Sequence, residues 1–165
     1  MSVALIVLIA GTLFAAVSDL RTHRIPNVLT ATLGLAAIAF HLVDGMALIL
    51  TLAVMIAAFA LAALAFSAGW LGGGDVKLIA AACGLASYPG CITLVLFILI
   101  AGAVLALGQA LRRGRLVALV RSASNVAVTG AQPATPTLLP YGVAIAGGSA
   151  AYALSTLFPA LRLAL

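Results

Sequence analysis

The sequence predicts an all-α, polytopic membrane protein with six transmembrane helices and its N-terminus outside. Three observations predict it. The 165 residues are 65% hydrophobic and only 7% charged, where a soluble domain is roughly a quarter charged. The mean hydropathy is +1.33, and the apolar residues run in long uncharged stretches of the kind that cross bilayers. Polar and apolar residues do not alternate, as a closed barrel requires, so backbone groups have to be satisfied within helices. The chain, 1–165, reads as a single membrane-embedded domain.

Apolar spans fall at about 2–18, 27–43, 46–66, 76–87, 91–111 and 140–160. The first has no basic residue before it, and its first positive charges, Arg21 and Arg24, follow the apolar run. That order suits a retained first span rather than a cleaved signal. Pro26-Asn27 opens the second span, because proline suits the start of a helix. Asp44-Gly45 makes the turn to the third, and Asp44 is expected to be a turn residue only. Gly69 to Gly74 are too rich in glycine to continue a helix cheaply. Ser87-Tyr88-Pro89-Gly90 turns into the fifth span, since the residue before proline avoids helical geometry.

The fourth span is short. Fourteen residues from Asp75 to Tyr88 make about 21 Å of helix, against a hydrocarbon core of about 30 Å. The glycine segment ahead of it is therefore expected to dip into the membrane, where irregular backbone survives only inside protein or beside water. Residues 112–139 form a cytoplasmic loop, in which "RRGRLVALVRS" is basic and amphipathic and "QPATPTLLP" is a Pro/Thr linker. Anionic lipid headgroups are the expected partner of that basic piece.

A net charge of +5 and a pI near 10.0 would suggest nucleic acid in a soluble protein. Here the charges read as topology signals. Six spans with the N-terminus outside place loops 19–26, 67–75 and 112–139 in the cytoplasm. Those loops and their edges hold Arg21, Arg24, Lys77, Arg112, Arg113, Arg115 and Arg121, and only Arg162 falls outside. Basic residues prefer the cytoplasmic side, and a five-span chain would put the 112–121 cluster on the wrong one. Membrane lipids, not nucleic acid, are the expected partners. Cys83 and Cys91 form no C-x-x-C pair and are expected to pack as small hydrophobes. No metal or cofactor is expected.

The chain has three aspartates and no glutamate. One of them, Asp75, follows three glycines in "GWLGGGDVKL". By the span count, Asp19 and Asp75 share the cytoplasmic face, whereas Asp44 lies outside. Two aspartates at one depth share a proton, because a like charge raises one pKa. The ionised member then deprotonates water while the protonated one polarises a carbonyl. Blander roles stay open: Asp19 pairing with Arg21 or Arg24, and Asp75 capping the fourth helix. A small transporter or proton channel would also retain intramembrane carboxylates, although it would want them near mid-membrane. No serine has G-x-S-x-G context, and His23 and His41 fall on opposite faces. One histidine with two aspartates is thin ligation for zinc.

At this point the residues resemble a known family. "SDLRTHRIPN" (18–27) and "GGGDVKL" (72–78) are similar to the two signature segments of type IV prepilin peptidases, which are GxGD-type intramembrane aspartyl proteases. Gly72, Gly74 and Asp75 fit G-x-G-D, with Val76, Lys77 and Leu78 continuing the pattern. Asp19 with Ile25-Pro26-Asn27 fits the other segment, and "LPYGVAIAGG" (139–148) resembles the motif opening the last helix. The resemblance implies that Asp19 and Asp75 are catalytic. It implies a prepilin or pseudopilin substrate, cut at the cytoplasmic boundary of a bacterial inner membrane to release a short basic leader. Gly72, Gly73 and Gly74 would supply positive φ and close approach to an extended peptide. Pro26, Asn27, Lys77, Pro140, Tyr141 and Gly142 would support the site or position substrate. Larger relatives carry an extra cytoplasmic segment with C-x-x-C pairs and also methylate the new N-terminus. This chain lacks that segment, so methylation is not expected, and its size resembles the short peptidases of tight-adherence pilus systems.

Overall fold

The computed structural model describes residues 2–112 and 141–158. The expectations for Pro140, for the basic and Pro/Thr loop and for Arg162 lie outside these residues. Six helices are described: α1 (Val3–Thr22), α2 (Asn27–His41), α3 (Gly45–Ser67), α4 (Gly73–Ala86), α5 (Gly90–Arg112) and α6 (Tyr141–Leu157). α1, α3 and the Gly90–Gln109 part of α5 are long and apolar enough to cross a membrane, and α2 is a shorter apolar helix.

Local chemistry sets the helix ends. Ser2 caps α1, its hydroxyl accepting from the Leu5 N–H. α1 stops at His23, which turns left-handed at φ 50° and donates its N–H to the Asp19 carbonyl at 2.8 Å. Ser18 and Thr22 hydroxyls then donate to the Arg24 carbonyl, at 2.9 and 3.2 Å, holding the link to α2. Pro26 stands as the cap before Asn27. Asp44 does more than turn the chain. Its Oδ1 accepts from the N–H groups of Met46 and Ala47, at 3.0 and 3.2 Å, and so caps α3.

α4 begins earlier than its glycines suggested. Gly73 and Gly74 are helical, and Gly72 is the N-cap. Glycine in a helix costs about 1 kcal/mol against alanine, but here each glycine admits a neighbour: Gly73 faces the Phe66 ring and Gly74 lies against Ile25. Asp75 is accordingly the third residue of the helix, and it serves the helix start from there rather than as the N-cap residue, by accepting from the Gly72 N–H.

α4 is the centre of the bundle and touches each of the other five helices. Nine of its 14 residues are buried, against three of the 23 in α3. The run Ala80-Ala81-Ala82-Cys83-Gly84 explains this, because small side chains let helices approach where no water drives them together. Leu78 of α4 is fully buried, as are Leu8, Leu94 and Ile145 around it. Cys83 and Cys91 are free and buried in the same core. The outside is apolar as well, with Val28, Ile56, Leu61 and Leu99 all exposed. Such a surface would drive a soluble protein to aggregate.

Candidate active site

Five helix ends meet at one pole of the bundle: the C-termini of α1 and α3 and the N-termini of α2, α4 and α6. The contacts that gather them are Asp19 to Gly142, Lys77 to Asn27, Gly74 to Ile25 and Gly73 to Phe66. Asp19 projects from the last turn of α1 and Asp75 from the first turn of α4. Both are 9% exposed. Asp75 feels the charge of Asp19, and Tyr141 feels that of Asp75, so the three side chains share one neighbourhood.

The two carboxyl groups are held differently. Oδ2 of Asp19 accepts from the backbone N–H of Gly142 at 2.9 Å in a buried contact. Gly142 is the second residue of α6, where N–H groups have no partner within the helix and the dipole favours negative charge. Only glycine fits there, since a Cβ would stand 2.9 Å from Asp19 Cβ and 3.0 Å from its Oδ2. Oδ2 of Asp75 accepts from the Gly72 N–H at 3.0 Å. That is half a capping box, since glycine has no side chain to complete it. Oδ1 of Asp75 is buried and has no hydrogen-bond partner among the described residues. A buried polar atom left unpaired costs about 1–3 kcal/mol.

Lys77, Asn27 and Tyr141 lie at the same pole. Lys77 is exposed and donates to Oδ1 of Asn27 at 2.9 Å, tying α4 to the start of α2 rather than neutralising Asp75. Tyr141 is half-buried, with its ring against Gly102 of α5. Arg21 and Arg24 are exposed, and among the described residues neither aspartate has an ion-pair partner, which leaves the Asp19–arginine alternative without support. The glycines act otherwise than expected. Among the described residues positive φ occurs at Gly69, His23 and Ser87 but at none of Gly72, Gly73 and Gly74. Their contribution is close approach, at Gly74 to Ile25 and at Gly72 to the Asp75 carboxyl.

Sequence reasoning missed a polar cluster at the opposite pole. Ser87, read only as a turn residue, meets Nε2 of His41 at 2.8 Å and the Thr51 hydroxyl at 3.5 Å. Nδ1 of His41 contacts the Ala37 carbonyl at 2.9 Å, so the ring joins the ends of α2 and α4. Two residues on separate helices and one just past the end of α4 leave no local sequence signal. The Asp19–Gly142 contact was equally hidden, since Gly142 stood out only as part of the motif opening the last helix.

Comparison with known proteins gives one family. The profile described as the type IV leader peptidase family matches residues 6–107, a stretch that includes both Asp19 and Asp75. Neither the curated proteins nor the solved structures give a match.

Proposed function

Because the chain belongs to the type IV leader peptidase family, we propose that it is an intramembrane aspartic endopeptidase that removes the short basic leader from prepilin or pseudopilin precursors. The observation that carries this is the pairing of Asp19 and Asp75, two of the three acidic residues in the chain, within electrostatic reach at one pole. Like charges so close share a proton. One carboxylate can then activate a water molecule while the other acid polarises the scissile carbonyl, without metal or covalent intermediate. Six spans, an outside N-terminus and a bacterial inner membrane belong to the same proposal. They are supported by the alternating helix directions and by the basic residues beside the site. A transporter or proton channel is disfavoured, since both carboxylates sit at one pole rather than midway.

Co-expression with candidate prepilins tests this. Asp19→Asn and Asp75→Asn are each expected to abolish leader removal while inserting normally, as an immunoblot of leader retention and membrane fractionation would show. Cleavage by a correctly inserted Asp75→Asn protein would remove the mechanism. The mature substrate is expected to carry an unmodified amino group, and an added methyl in its mass spectrum would contradict that expectation.

A further inference from the structure

The two carboxyl groups are not equivalent, and their surroundings divide the chemistry between them. Each lies at a helix N-terminus, Asp75 in the first turn of α4 and Asp19 against the start of α6, so the helix dipoles do not separate them. Nor do other charges. Lys77 is committed to Asn27, and Arg21 and Arg24 are exposed. Asp44 caps α3 at the far pole, and Tyr141 is a neutral phenol beside Asp75. What separates them is oxygen Oδ1 of Asp75, buried and unpartnered among the described residues. An anionic oxygen in that position meets no donor among the described residues, whereas a protonated one is neutral and becomes a donor itself. Each carboxylate accepts one backbone N–H, Asp19 from Gly142 and Asp75 from Gly72, so the unpartnered Oδ1 of Asp75 is what tips the balance toward the anion at Asp19.

Resting on the peptidase assignment above, we infer that the shared proton is carried on Oδ1 of Asp75, which is the acid facing the scissile carbonyl, and that Asp19 is the ionised base. Asp19 takes a proton from water as the water oxygen bonds to the carbonyl carbon. Asp75 gives its proton to the carbonyl oxygen, leaving a neutral gem-diol. Asp19 then returns its proton to the amide nitrogen as the C–N bond breaks. One diol hydroxyl gives its proton back to Asp75 as the new carboxylic acid forms. Both groups end as they began.

The scarcity of acids makes this directly measurable. The three aspartates follow Ser18, Val43 and Gly74, so pairwise isotope labelling assigns each carboxyl carbon in the unaltered protein. In lipid nanodiscs, the Asp75 signal is expected to stay at its protonated position to higher pH than the Asp19 signal. Asp19→Asn is expected to lower the pH at which Asp75 titrates, because a like charge is gone. If Asp19 is the last to lose its proton, the division of labour is reversed and this inference fails while the dyad stands. If the two titrate independently, with neither moved by substitution of the other, the dyad itself fails.

Discussion

Gly142 shows how much one missing side chain decides. It gives Asp19 a backbone hydrogen bond across 123 residues of sequence, and a methyl group there would press on the carboxylate. Overpacking of this kind costs about 1–3 kcal/mol. Since about 1.36 kcal/mol is tenfold in rate, Gly142→Ala is expected to slow leader removal about tenfold or more while the protein still inserts. A full-rate Gly142→Ala variant, measured by the same cleavage assay, would mean that Asp19 is not held by α6. The residues of this site were legible in the sequence as types, an aspartate after three glycines and another after an apolar span. Their partners were not, because contacts between distant segments follow from tertiary packing, which no local pattern encodes.

At the scale of the helix, the breaks were legible wherever a local residue dictates backbone geometry. Pro26, Asp44 and the Ser87–Gly90 turn lie where the chain indeed changes element. The start of α4 was misplaced by about three residues because glycine propensity is a weak prior that packing overrides. The same preference for small residues governs α6. Gly148 lies so near α5 that a Cβ would stand 2.6 Å from both the Cα and the N of Ile98. Those are backbone atoms, and they cannot swing aside as a side chain can. Gly148→Ala is therefore expected to lower stability by about 1–3 kcal/mol, read as a lower midpoint of thermal unfolding in detergent. An unchanged midpoint would mean that α5 and α6 separate freely.

For the whole molecule, composition announced a helical membrane protein before any motif was considered, because so few charges cannot clothe a soluble surface. Among the described residues, three helices meet the length and hydropathy of a span. The other three are shorter, and their crossing is argued from their packing directions. Orientation is open to measurement with an impermeant thiol reagent. Cys83 and Cys91 are only 1% and 8% exposed, so the native background is expected to be silent. Ser2→Cys is expected to label from outside intact cells and Arg112→Cys only after the membrane is opened. The reverse pattern would invert the topology and put the carboxylates on the wrong side for a cytoplasmic leader.

The register of α5 against α6 has a further consequence. Tyr141, at the start of α6, lies level with Gly102, and α5 runs on to Arg112. Those ten further residues extend about 15 Å, with Val104, Leu107 and Leu111 facing outward. On the proposed topology those aliphatic groups meet acyl chains, so α5 overhangs the carboxylates on one side while Arg21, Arg24 and Lys77, exposed at their pole, reach for headgroups or water. A precursor would then come to the carboxylates from a side that α5 leaves open, with its charged leader kept in water.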